Sequence, residues 1–184
     1  MKIKNHGELN AMSAQELVDC VQANSGCRGG KLSNAIKYIA KNGISSDAEY
    51  PYRAEKFPCN RENKQSVANI KGFGKVKPGE HNLLEAVARQ PVAVYIDVNK
   101  RDFRDYTGGI YRTGPCGPKE ELKFDHAVAV IGYGKEGQDE FWLIKNSYGD
   151  AWGEKGYMKL KREGASPYPV CGITMKASYY PTVE

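Results

Sequence analysis

Long apolar runs are missing from this chain: none approaches the ~20 residues that a bilayer-crossing helix needs, which excludes a helical membrane protein. Cys-x-x-Cys pairs are missing too. The three histidines (His6, His81, His126) lie far in sequence from the five cysteines, so zinc-ligand spacing is absent and no metal is expected. Charge of one sign is not concentrated. Lys and Arg number 27 against 22 Asp and Glu, a net +5, but the basic residues are scattered. The longest cluster, Lys159-Leu160-Lys161-Arg162, alternates like a strand with one wet face, so no nucleic-acid partner is expected. There is no N-x-[ST] sequon, no internal repeat and no low-complexity segment, and no organic cofactor is implied.

What is present is enough for a packed core: 40% of the 184 residues are hydrophobic and 27% charged. Cys20, Cys27, Cys59, Cys116 and Cys171 are dispersed over a wide span, which suits disulfides made in an oxidising compartment. Five is odd, so one thiol is free, joined to another chain, or without its partner. The N-terminus, Met1-Lys2-Ile3-Lys4-Asn5-His6, has no apolar signal-peptide core. A disulfide-bearing chain without a signal leads to the expectation that an upstream segment is gone, and the compartment stays unassigned.

The first third reads as helical. Ser13-Ala14-Gln15-Glu16 fits a capping box, with the hydroxyl and the carboxylate each expected to satisfy a free backbone donor. A short helix then runs through Leu17 and Val18 into Cys20. After the loop Gly26-Cys27-Arg28-Gly29-Gly30, a second helix puts Leu32, Ala35, Ile36 and Ile39 on one face and stops at Asn42-Gly43. Residues 45–79, rich in Pro, Gly and charge, read as a long connection. A third helix is expected at residues 82–89. The period then switches to two: Val92, Val94 and Ile96 alternate with Ala93, Tyr95 and Asp97. Further strands are expected at 127–133, 141–145 and 157–161. Helices first and strands later predict an α+β protein of two subdomains, the second an antiparallel sheet or barrel.

One pair of residues carries chemistry. The strands on either side of residues 134–139 predict a hairpin, and the midpoint of 126 and 146 falls at 136, which sets His126 opposite Asn146. An asparagine oxygen accepting from one ring N–H fixes the imidazole's tautomer and aim. The other nitrogen is then available for proton transfer. Asparagine adds no charge, which suits an imidazolium paired with a thiolate.

At these residues the chain resembles the papain-like cysteine proteases, the plant members above all. Ser13-Ala14-Gln15-Glu16-Leu17-Val18-Asp19-Cys20 is similar to the family's S-x-Q-E-L-x-D-C, Gly26-Cys27-Arg28-Gly29-Gly30 to its G-C-x-G-G, and Tyr50-Pro51-Tyr52 to its Y-P-Y. Gln90-Pro91-Val92-Ala93-Val94, Asp125-His126-Ala127-Val128, Ile144-Lys145-Asn146-Ser147, Trp152-Gly153-Glu154-Lys155-Gly156-Tyr157 and Cys171-Gly172-Ile173 follow in the family's order. The resemblance implies the papain-like fold: a helical left-type subdomain over residues 1–80, truncated, and a β-rich right-type subdomain over 81–184. It implies that His126 is the catalytic histidine and Asn146 its orienting partner. Gly29, Gly30, Asp125, Trp152 and Tyr95 would line the substrate cleft, Tyr95 either narrowing a pocket where the family has a small residue or packing on its strand neighbours. Tyr148 would stand where the family has a tryptophan shielding the Asn–His bond. The implied disulfides are Cys20–Cys59 and Cys116–Cys171, with Cys27 unpaired because its partner belongs to a segment not present.

That same segment holds the family's nucleophile, in a C-G-S-C-W type motif, and its oxyanion-hole glutamine; no C-G-S-C-W occurs here. The expectation is therefore a truncated homologue, inactive alone, that works by binding a protein or peptide. The rival reading is one piece of a genuine Cys-His-Asn endopeptidase. A structural or carbohydrate-binding module is a third reading, and it leaves the His126/Asn146 register unexplained. Loss of the family's central helix would bare the apolar faces around Leu17, Leu32, Ile36 and Ile39, predicting self-association or a bound partner segment.

Overall fold

The structure, a computed structural model, describes residues 10–113, 122–164 and 166–183. The chain divides into two compact units, Met1–Gly74 with Pro181–Glu184 and Lys75–Tyr180.

In the first unit α1 (Ala14–Cys20) is capped by Ser13, whose Oγ accepts from the Glu16 amide at 2.9 Å. The second half of the expected capping box does not form. The Ser13 amide donates instead to the Ser45 carbonyl, and the Glu16 carboxylate turns inward. It accepts from the Ser45 amide at 2.8 Å and the Tyr38 hydroxyl at 3.0 Å, and pairs with Arg61 at 3.2 Å. Tertiary partners outcompete the local bond, because a buried carboxylate needs several strong donors. Asp19 behaves the same way, accepting from Gln15 Nε2, the Tyr50 hydroxyl, the Phe57 amide and Arg53. One short helix thus uses Gln15, Glu16 and Asp19 to pin the irregular chain from Ser45 to Arg61, and the Cys20–Cys59 disulfide fastens the same connection.

The second helix, α2 (Leu32–Asn42), ends at Gly43, which has φ +70°. A Cβ there would lie 2.1 Å from Ser66 Oγ, so only glycine closes this turn. No residue of α2 is fully buried; Leu32, Ala35, Ile36 and Ile39 are all half-buried, as is Leu17 of α1.

The sheet has seven strands. They are β1 (Gly72–Val76), β2 (Val92–Ile96), β3 (Ile110–Tyr111), β4 (His126–Glu136), β5 (Asp139–Lys145), β6 (Tyr157–Lys161) and β7 (Ser178–Thr182). They lie in the order β1-β7-β2-β4-β5-β6-β3. Strands β2 to β6 are wholly in the second unit, while β1 and β7 each have residues in both units. β2, β4, β5 and β6 pair antiparallel in succession, and β3 pairs parallel with β6. Two helices accompany the sheet, α3 (Glu80–Val87) and the single turn α4 (Arg101–Arg104). The residues from 45 to 79, expected as connection throughout, contain β1. Its Gly-Phe-Gly-Lys-Val sequence has neither clean alternation nor a branched run, and it survives as an edge strand.

The core follows the period-two reading. Val92, Val94 and Ile96 of β2 are fully buried between half-buried Ala93 and Tyr95. Val130, Trp142, Ile144, Met158 and Leu160 continue the layer, with Leu83 and Val87 of α3 packed on it. Each such side chain contributes about 1.5–3 kcal/mol by leaving water.

The hairpin is centred later than its expected midpoint. Glu136 pairs with Asp139 around Gly137 and Gln138, and Gly137 takes φ +60° in the turn. Gly132 then pairs with Leu143 but Val130 with Ile144, so Ile131 is an extra residue in a β-bulge. Ala129 sits opposite Lys145, and continuing that register by one step sets Val128, not His126, level with Asn146. The His126–Asn146 contact is therefore diagonal. It forms because His126, Val128 and Val130 share one face of β4, the face that Ile144 and Asn146 share on the other strand.

Candidate active site

β4 starts at His126, and Asn146 follows the last residue of β5, so neighbouring strand ends hold the two side chains. His126 Nε2 lies 2.8 Å from Asn146 Oδ1. The same oxygen accepts the Ser147 amide at 2.8 Å, and the Asn146 amide donates to the Gly156 carbonyl at 3.0 Å. An oxygen already accepting from a backbone N–H fixes the amide's orientation. The ring atom facing it must then be a donor. In its uncharged form the His126 ring accordingly holds its proton on Nε2 and presents Nδ1 as an acceptor.

Aromatic rings wall the pair. Tyr148 lies against the imidazole, centroids 5.1 Å apart, and meets Trp152 edge-on at 5.6 Å. Phe103 of α4, wholly buried, touches Tyr148, Trp152 and Tyr111. The Trp152 indole N–H donates to the Arg104 carbonyl at 3.0 Å, which sets the plane of its ring. Burial pushes the Tyr148 phenol above its ordinary pKa, while the charge of Arg104 opposes the shift and that of Asp125 adds to it. Asp125 itself is exposed, and its carboxylate accepts the Val98 amide at 3.1 Å, bracing the end of β2.

His126, Asn146, Tyr148, Trp152 and Asp125 are thus brought together in the second unit. Tyr95 lies in the same unit, half-buried and paired with Ala127 across the β2–β4 ladder. Gly29 and Gly30 belong to the first unit, where Gly29 closes the 3-10 turn Gly26–Arg28 and Gly30 follows it. Cys27, in that turn, is an exposed free thiol whose Sγ lies 3.7 Å from the Ala54 carbonyl. Cys20 and Cys59 are bonded to each other. The Cys116–Cys171 pairing involves Cys116, outside the described residues; Cys171 is wholly buried and disulfide-bonded. Sequence reading missed Phe103 and the carbonyl of Arg104. Their segment, Arg101-Asp102-Phe103-Arg104, is too short and too charged to show a period.

Among the described residues, no cluster of three or more His, Cys, Asp or Glu side chains could hold a metal ion. A neutral, oriented imidazole beside an uncharged amide can take and return a proton, the task of a general base in nucleophilic catalysis.

Comparison with known proteins agrees with this chemistry. The family model described as "Papain family cysteine protease" matches residues 1–181. Zingipain-2 of Zingiber officinale is 43% identical over 175 residues, which cover 94% of this chain and 77% of that protein. Caricain of Carica papaya is 47% identical over 178 residues, covering 96% of this chain but 49% of its own length, so the chain spans about half of that relative. The bromelain protease of Ananas comosus, solved in complex with the E64 inhibitor, superposes with a TM-score of 0.88 at 37% identity, covering 98% of this chain and 81% of that one. With the fold, the motif order and the histidine–asparagine geometry in agreement, the chain belongs to the papain family of cysteine proteases.

Proposed function

We propose that this chain carries the histidine–asparagine half of a Cys-His-Asn centre and, by itself, binds peptide or protein without cleaving it. The observation that carries this reading is the 2.8 Å His126–Asn146 bond in a sequence whose described cysteines are otherwise engaged or elsewhere. Cys27 faces a backbone carbonyl, and C-G-S-C-W is absent from the sequence. Nucleophile, base and oxyanion donors act as a unit, so removing the nucleophile abolishes the chemistry rather than weakening it. On the resemblance alone, Trp152 and Asp125 are assigned to the leaving-group side, Tyr95 to the side-chain pocket, and Gly29 and Gly30 to the substrate backbone. The half-buried apolar face of α2, with Leu17, is where a partner segment or second copy docks.

The test is turnover of a fluorogenic peptide by the purified chain. The expected result is no hydrolysis above buffer, together with calorimetric binding of a non-cleavable peptide. Steady hydrolysis that a thiol-alkylating reagent abolishes would overturn the reading. A second reading, one piece of a working endopeptidase, is favoured by the 49% coverage of caricain. The intact mass of native material decides it: a mass well above 20.4 kDa, with a C-G-S-C-W peptide in the digest, establishes the enzyme.

A further inference from the structure

Away from His126, the second unit contains a groove of about 240 Å³ between α3 and the strands β1 and β7. Asn82, Glu85, Ala86 and Arg89 line one wall, at the spacings of a single helical face. Lys75, Val76 and Lys77 form the other wall, and Tyr180 of β7 adds an aromatic surface. Val76 is buried, and Ala86 and Tyr180 are half-buried against the core, so the floor is apolar and fixed.

The rim is cationic. Lys75, Lys77 and Arg89 are exposed, and none of them forms an ion pair among the described residues. The one carboxylate in the lining, Glu85, is turned to His81 at 3.3 Å. Three cations without carboxylate partners outnumber the one carboxylate, Glu85, whose partner His81 is charged only when protonated. This net cationic rim around an apolar floor selects a ligand with one anionic end and one flat apolar end. The volume lies below the roughly 300–1,000 Å³ of drug-sized pockets, which limits the occupant to a small molecule or one terminal residue.

We propose that this groove is a binding site for an aryl carboxylate, its ring on Tyr180, Ala86 and Val76 and its carboxylate among Lys75, Lys77 and Arg89. Charge attraction raises the local concentration of such anions and the apolar floor holds the ring. The site is independent of the histidine–asparagine pair.

The probe is 3-phenylpropionate, titrated into the isotope-labelled full chain and followed by amide chemical shifts. Saturable shifts confined to residues 75–77, 82–90 and 180 are expected. The neutral analogue 3-phenylpropanamide should bind about tenfold more weakly or worse, the charge being the only difference. A K75Q/K77Q/R89Q variant with unchanged circular dichroism should lose about as much. Competition by a peptide ending in phenylalanine with a free carboxylate supports the same chemistry supplied by a chain terminus. Failure of that peptide to compete supports a free small acid. Equal affinity for the neutral analogue, unchanged binding by the triple variant, or shifts centred on other residues would each refute the site.

Discussion

Asn146 Oδ1 receives two hydrogens, one from His126 Nε2 and one from the Ser147 amide. That double acceptance makes the histidine directional, because rotating the amide would set its NH₂ against two donors. In ¹⁵N spectra of the neutral imidazole, His126 should therefore populate the Nε2–H tautomer. N146A should return it to a mixture with unchanged fold, and retention of the single tautomer in that variant would deny Asn146 its positioning role. Glu80 offers a residue-scale test of pH. Burial raises its pKa above the ordinary value of 4.5, against the pull of Arg162 and the Glu163 and Gly164 amides. A raised value in the native state means that the fold holds the proton longer than the unfolded chain does. Glu80 then contributes stability that is complete below pH ~4.5 and is lost as pH rises through its folded value. The stability of the wild type relative to E80Q should fall as pH climbs out of that range, in urea unfolding at a series of pH values. A flat difference would refute it.

Helices α2 and α3, of 11 and 8 residues, are both amphipathic, yet they are buried differently. Leu83 of α3 is 1% exposed, whereas no residue of α2 is fully buried. L83A should cost about 2–5 kcal/mol as a core cavity. I36A should cost about 1 kcal/mol, since a half-exposed side chain has less transfer energy to lose. Equal costs in denaturant titrations would show that the apolar face of α2 is covered in solution, by a second copy if the effect depends on concentration. Legibility also varied by element. β2 was readable over Val92–Ile96 because its one buried face imposes strict alternation, but Asp97, read as the next outward position, lies beyond the strand and is fully buried. β1, β3, β7 and α4 were not, since an edge strand rich in glycine, a two-residue strand, a strand containing Pro181 and a single charged turn have no period to detect. The capping box misled for a related reason: Glu16 had stronger partners 22 to 45 residues away, in Tyr38, Ser45 and Arg61.

Over the whole molecule, the irregular chain of the first unit depends on one covalent tie and one buried polar hub. The Cys20–Cys59 bond closes a loop of 39 residues. Restricting the unfolded chain over that span is worth about 4 kcal/mol. Removing that bond alone, in C20S/C59S, should therefore loosen the first unit, giving early loss of amide protection at Ser45 and Phe57, while β2, β4 and β5 keep theirs. Simultaneous loss in both units would mean that they unfold as one.

The order of motifs, the α+β class, the alternation of β2, the end of α2 at Asn42-Gly43 and the meeting of His126 with Asn146 were all determined by the sequence alone. They rest on local chemistry: side-chain period, glycine at a helix end, and residue types suited to proton transfer. The bulge at Ile131, the diagonal His126–Asn146 contact, the inward turn of Glu16 and the Phe103 support beneath Tyr148 and Trp152 were decided by tertiary structure. Each depends on which distant groups compete for the same donor or the same volume, a choice that exists only once the chain has packed.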